Sequence, residues 1–306
     1  MKSIIEIRNL RKHYRRTPAV EGLNLDIPEG AVTAFLGPNG AGKTTTIKCL
    51  LNMITPDEGT VSVLGEDSRR MGPEIFRHIG YVSENQELPG WMTVQQLLDY
   101  CRPMYPAWDP AFCDRLRTQF DLPLDRKLKN LSRGMKVKAA LLVSLAYRPR
   151  LLVLDEPFTG LDPLVRDEFI RGILELSEEG NWTVFISSHD IDEVERLADW
   201  VGIINNGHLK LAESATALQG RFRRIECVLD ATTKLPASLP ESWLVPEIAG
   251  HTVRIVESGF EAESSEARVR QVLPDASQIS VSALSLRDIF LALARTYRLN
   301  DTSEAK

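Results

Sequence analysis

The chain lacks any apolar run long enough to span a bilayer. Its strongest stretch, Ala139 to Tyr147, reaches about half of the ~20 residues that a membrane helix requires, so a buried helix is expected there instead. The opening residues include Lys2, Glu6, Arg8, Arg11 and Lys12, which leaves no apolar signal-peptide core. Cysteine is scarce. Cys49, Cys101, Cys113 and Cys227 are scattered, with no paired metal-ligand spacing. That pattern argues against a cysteine-built metal centre and points to reduced thiols in a cytosolic protein. Excess positive charge is also missing: the net charge is −5, so bulk electrostatics gives no reason to expect a nucleic-acid partner. No internal repeat is visible, and one functional unit per chain is expected.

What remains is an ordinary globular composition, 43 % hydrophobic and 26 % charged, in a chain of 306 residues. That length suits one large domain or two smaller ones. Ile4 to Leu10 and Leu23 to Ile27 alternate apolar and polar, as half-buried strands do. Ala31 to Leu36 is a short apolar run, the mark of a buried strand. A helix is predicted from Lys43 to about Met53. Between residues 86 and 148 helical patterns replace strands, Trp91, Tyr100, Tyr105 and Trp108 gather, and Thr93-Val94-Gln95-Gln96 has the form of a capping box. This segment is a helical insert. Leu151 to Leu154, Thr183 to Ile186 and Val201 to Ile204 return to the strand pattern, and Asp190 to Asp199 is expected to be helical. Arg221-Phe222-Arg223-Arg224 is read as a solvated junction. Beyond it, His251 to Glu257 alternates like a strand, and helices are expected over Glu263 to Leu273 and Ser285 to Thr296, the last with Ser285 as N-cap. The expected division is a nucleotide-binding domain over residues 1–218 and a small α+β accessory domain over 219–306.

The segment Gly37-Pro38-Asn39-Gly40-Ala41-Gly42-Lys43-Thr44-Thr45 has the full spacing of a phosphate-binding loop. It lies between a predicted strand and a predicted helix, the context such a loop requires. Its glycines let backbone N–H groups close around phosphates, and the helix presents its positive end to them. Lys43 adds a point charge, and Thr44 offers a hydroxyl to Mg²⁺. Farther along, Leu151-Leu152-Val153-Leu154-Asp155-Glu156-Pro157 ends a strand on two carboxylates. Successive strand side chains point to opposite faces, which suits two roles. Asp155 can hold Mg²⁺ directly or through water, and Glu156 can polarise an attacking water as general base. Alone, two acidic residues there would be an exposed turn. The apolar run in front and the phosphate loop upstream give them chemistry.

Leu131-Ser132-Arg133-Gly134-Met135 precedes that strand, and Ser187-Ser188-His189 follows it. The four segments in this order resemble the nucleotide-binding subunit of an ATP-binding cassette (ABC) transporter. The resemblance covers residues 1 to about 215 closely. It implies an α/β fold: a P-loop ATPase core with an antiparallel β subdomain and a helical insert, plus the small C-terminal domain. It implies that Ser132 and Gly134 contact the γ-phosphate held by a second subunit, that His189 is a catalytic switch, that Tyr14 stacks on adenine, and that Asp162 in Gly160-Leu161-Asp162-Pro163 meets the other subunit. Ile79 to Glu84 resembles the approach to the family's Q-loop, with Glu84 where glutamine is usual and still able to ligate Mg²⁺. Arg133 replaces a glycine of the usual Leu-Ser-Gly-Gly-Gln, and Met135 replaces its glutamine. Leu286-Arg287-Asp288-Ile289-Phe290 is similar to the tail of ATPases that serve ABC-2 type exporters.

The expectation is therefore an ATPase using ATP and Mg²⁺ that dimerises, with an identical or different second subunit, around two ATP molecules. It would drive an integral membrane permease encoded separately, in the direction of export, from the inner face of the cell membrane. A soluble ABC-type switch unconnected with transport is the alternative.

Overall fold

The computed structural model describes residues 2–179, 182–229, 235–236 and 238–304. Two compact units divide the chain, Met1–Ala212 and Glu213–Lys306.

In the first unit, β1 (Ser3–Tyr14) pairs antiparallel with β2 (Thr17–Pro28) and with β4 (Glu58–Val63), and β5 (Glu66–Asp67) lies at the edge. Period-two alternation drives this sheet: Ile5 and Ile7 lie opposite Ile27 and Leu25, and all four are buried. The second sheet has six strands in the order β10-β9-β3-β8-β7-β6. They are β3 (Val32–Leu36), β6 (Ile79–Ser83), β7 (Leu151–Asp155), β8 (Thr183–Ser188), β9 (Trp200–Asn205) and β10 (His208–Ser214). β3, β7 and β8 are buried at every residue and run parallel, which is why they read as continuous apolar runs. Phe35 and Phe185 meet at 5.4 Å between these strands.

The helices of this unit are α1 (Lys43–Leu50), α2 (Pro73–Phe76), α3 (Val94–Cys101), α4 (Pro110–Gln119), α5 (Arg133–Leu145) and α6 (Pro163–Glu179). The predicted capping box is formed: Thr93 Oγ1 accepts from Gln96 N–H at 3.2 Å, and Gln96 Oε1 accepts from Thr93 N–H at 2.9 Å. The helix expected over Asp190 to Asp199 is not. Only Ile191–Glu193 coils, as a single 3₁₀ turn. Polar side chains compete for the backbone here: the Asp190 carboxylate accepts from Asp192 N–H, and Ser188 Oγ accepts from Asp190 N–H.

The second unit holds α7 (Ala215–Arg221), β11 (Arg223–Val228), β12 (Trp243–Ala249), β13 (Thr252–Glu257), α8 (Ala262–Val272), β14 (Ser277–Ala283) and α9 (Leu286–Glu304). Its sheet order is β12-β13-β11-β14. Ile225, Cys227, Trp243, Val253, Ile255, Val269 and Leu273 form its core. Arg223 and Arg224, expected in a solvated junction, begin the interior strand β11. Arg224 faces Asp288 at 3.4 Å and Phe222 is buried, so the charges stay outward while the apolar partner turns in. Ser285 caps α9, its Oγ accepting from Asp288 N–H at 3.1 Å.

Candidate functional site

The parallel strands end together. Leu36 lies level with Ser188, and Asp155 lies level with both Ser187 and Ser83. The chain therefore leaves the sheet at Gly37, Glu84, Glu156 and His189 along one edge, the carboxyl end, where open α/β sheets bind ligands. A cavity of about 200 Å³ opens there, walled by Asn39, Gly40, Gly42, Lys43, Thr44 and Thr45 with Ala19, Glu84 and Glu156.

The loop is shaped by its glycines and by Lys43. Gly42 sits at φ 110°, and a Cβ placed on it would meet Ala19 O at 2.5 Å, so no other residue fits. Lys43 Nζ donates to Gly37 O at 2.6 Å and to Pro38 O at 3.1 Å, which curls the loop around its own lysine. Ala41 is buried, its N–H donating to Pro38 O at 3.1 Å. α1 starts at Lys43 with no side-chain cap and no acidic residue in its first turn. The positive end of that helix is thus kept for an anion.

Asp155 ends β7, and Glu156 lies just past it at φ 51°, so the two carboxylates diverge. Asp155 Oδ1 accepts from Thr44 Oγ1 at 3.1 Å and from Ser187 Oγ at 2.7 Å. Burial pushes its carboxyl above the ordinary value, partly offset by those two hydroxyls. Glu156 turns back toward the loop. Its Oε1 is 3.0 Å from Lys43 Nζ, and its Oε2 is 2.7 Å from His189 Nδ1. Burial pushes this carboxyl upward too, but the His189 hydrogen bond and the Lys43 charge outweigh it and hold it below the ordinary value. Glu156 is therefore ionised, and His189 Nδ1 is the donor. The Lys43 approach is ionic rather than directional, and Oε1 is buried with no aligned hydrogen-bond donor. That lone pair has the position a base needs.

The other sequence candidates fall in three places. Glu84 lines the cavity but also accepts from Arg133 Nη2 at 3.0 Å. Tyr14 ends β1, exposed, and does not line the cavity; Ala19 does. Ser132, Gly134 and Asp162 also stand outside its wall, and each has a local task. Ser132 caps α5, accepting from Met135 N–H at 3.2 Å. A Cβ on Gly134 would meet Val165 at 2.9 Å, so this glycine lets α5 approach α6. Asp162 Oδ1 accepts from Leu164 and Val165 N–H at 3.1 and 3.0 Å and caps α6.

Sequence reasoning missed Ala19, Ser187 and Glu193. Ala19 carries no chemical signal at all. Ser187 was read only as part of the segment before His189, yet it donates to Asp155 and holds Glu156 N–H through its Oγ at 3.1 Å. Glu193 is buried and accepts from Ser188 Oγ at 2.5 Å, with Arg166 Nη2 at 3.5 Å. A glutamate four residues past His189 in an otherwise solvated acidic run gave no cue.

These residues fit a nucleoside triphosphate with a divalent cation. The uncapped helix end and Lys43 suit phosphates, and the Glu156 carboxylate, lining the cavity beside Lys43, suits a water. Thr44 and Asp155 supply oxygen ligands, and Glu84 faces the same cavity. No group of three or more His, Cys, Asp or Glu side chains that could hold a metal occurs among the described residues, so phosphate oxygens would have to complete the cation's shell.

Comparison with known proteins agrees. A family model described as ABC transporter matches residues 20–159. The "Bacitracin transport ATP-binding protein BcrA" of Bacillus licheniformis is 32 % identical over 303 residues, covering 96 % of this chain and 98 % of that protein. Among solved structures, an ATP-binding subunit of an ABC transporter is similar at TM-score 0.64 and 27 % identity, covering 71 % of this chain and 92 % of that one. A second, cbiO1 from Clostridium perfringens, described as part of the ABC transporter complex cbiONQ, is similar at TM-score 0.61 and 28 % identity, covering 70 % of this chain and 89 % of that one. The chain belongs to the ABC transporter family, as one of its ATP-hydrolysing ATP-binding proteins.

Proposed function

We propose that two such subunits, identical or different, meet head to tail around two ATP molecules and drive a separate membrane permease as an exporter. One observation carries the reading. Ser132 caps α5 and Gly134 lies in its first turn, both outside the cavity of their own chain, which supports a role toward a second subunit's nucleotide. ATP would supply the phosphoryl group, and Thr44, Asp155 and Glu84 would hold Mg²⁺, which would supply charge neutralisation when bound. Within the chain, Lys43 and the first N–H groups of α1 hold the β- and γ-phosphates. Glu156 Oε1 takes the proton of the attacking water, and His189 fixes the Glu156 carboxylate through Oε2. Tyr14 would add stacking on the base from the end of β1.

No helix among the described residues is long and apolar enough to cross a membrane, and in this reading a separate permease supplies the path. The helical insert offers a docking face. Met92 is buried and Tyr105 stacks on Tyr147 at 3.8 Å, so these two belong to the insert's own packing. Trp91, Tyr100 and Met104 stay exposed and can receive a permease segment. The bacitracin transport role of the BcrA relative supports transport here, with residues 1–218 as the ATPase domain and 219–306 as an accessory domain. The test is twofold. ATP turnover should rise with the square of protein concentration, and a cysteine at Trp91 should crosslink to a co-expressed permease. Turnover linear in concentration, with co-purification of ribosomes or DNA in place of a membrane protein, would support a soluble switch.

A further inference from the structure

Two departures from the family pattern, Glu84 and Arg133, lie 49 residues apart in sequence, and the fold joins them through an Arg133 Nη2 to Glu84 Oε1 hydrogen bond of 3.0 Å. Glu84 is part of the cavity wall, and Arg133 is the first residue of α5, beside Ser132. The same guanidinium lies across Gly160, where a Cβ would meet its Nη1 at 2.6 Å. One side chain thus touches the segment after β6 and the turn after β7 from the start of the signature helix. A carboxylate in a wall meant for phosphates repels its ligand unless a cation offsets it. Glutamine at 84 would be neutral and need no such partner, and glycine at 133 could not supply one. The pair is half open to solvent, with side chains 49 % and 30 % exposed, so it adds little to fold stability.

We propose that Arg133 is a positioning residue for the nucleotide cavity. It neutralises the Glu84 carboxylate and holds it against the wall, so that this chain admits a triphosphate despite an acidic residue, and it ties that carboxylate to the first turn of α5. The proposal rests on the cavity being the nucleotide site.

The experiment uses the full-length chain and a fluorescent ATP analogue in EDTA, at low and at high salt. Arg133→Gln should weaken binding about three- to tenfold at low salt, as one uncompensated charge near a triphosphate would, and by clearly less at high salt. Arg133→Lys keeps the charge and should stay within about twofold of the parent. The double variant Glu84→Gln/Arg133→Gln should bind as Glu84→Gln alone does, and the melting temperature of Arg133→Gln should be unchanged. Equal weakening in both backgrounds, no weakening at all, or a loss of folding that the double variant shares would overturn the proposal. A parent chain that binds no analogue at any salt would overturn the nucleotide assignment as well, a result distinct from these.

Discussion

Glu156 has φ 51°, a left-handed conformation that non-glycine residues adopt at a cost. The turn takes its carboxylate off the strand's alternation and aims it at Lys43 and His189. Glutamine keeps the shape but loses the charge that faces Lys43 and His189 and one acceptor oxygen. Glu156→Gln should therefore lower ATP turnover by about 10²- to 10⁴-fold while retaining ATP, read as phosphate release against filter-bound nucleotide. Turnover within tenfold of the parent would remove Glu156 from the base role. At the same scale, burial pushes the Cys49 and Cys113 thiols up to about 11. A raised thiol stays protonated below its shifted value, so at pH 8 the thiolate fraction is on the order of a thousandth. Iodoacetamide at that pH should leave both unmodified in the folded protein, and mass mapping after digestion checks it. Ready labelling of either would mean that the packing around it opens.

The turn after β8 is the element that sets the site. Ser188 Oγ reaches the buried Glu193 carboxyl, Ser188 O receives Gly37 N–H at 3.3 Å, and Arg166 approaches from α6. This small network ties the turn before His189 to Gly37 and to α6. Burial raises the Glu193 carboxyl above its ordinary 4.5, against the lowering effects of Ser188 and Arg166. The folded chain therefore holds this proton more readily than the unfolded chain does. Its contribution to stability is complete below the unfolded value and is lost as pH rises through the folded one. Glu193→Gln keeps the shape and cannot ionise. Its melting temperature relative to the parent should rise between pH 4 and pH 7, and a flat or falling difference would show that Glu193 is charged without strain. In the second unit, Glu257 is fully buried, with Trp243 Nε1 donating at 2.7 Å and Arg268 at 3.3 Å. Glu257→Ala strands the buried Trp243 N–H and should cost roughly 1–3 kcal/mol, measurable by urea unfolding.

At the scale of the whole molecule, every residue of the phosphate cavity lies in the first compact unit. β10 runs to Ser214, so a chain cut after Ser214 keeps its edge strand intact. That fragment should fold and bind a fluorescent ATP analogue within about threefold of the full chain, since no wall residue is lost. A fragment that folds but binds nothing would make residues 215–306 part of the nucleotide site.

The phosphate loop, the two carboxylates and His189 were legible because they are contiguous, and local chemistry demands those residue types in that spacing. The same holds for the Thr93 capping box and the Ser285 cap, where a side chain bonds backbone only three residues away. β11 was not legible, since a strand that begins with two arginines shows its apolar side only when β13 and β14 flank it. Nor was the turn at Ile191, where an acidic run of helical composition gives its backbone donors to side chains. By itself the sequence determined the family, the phosphate loop and the residues proposed as base and metal ligands, all of them local patterns. Only the tertiary structure decided that Ala19 walls the cavity, that Glu193 holds the turn carrying His189, and that Glu84 is paired with Arg133. Each joins residues from separate elements, and such distances are set by strand register and helix packing, which no short stretch of sequence encodes.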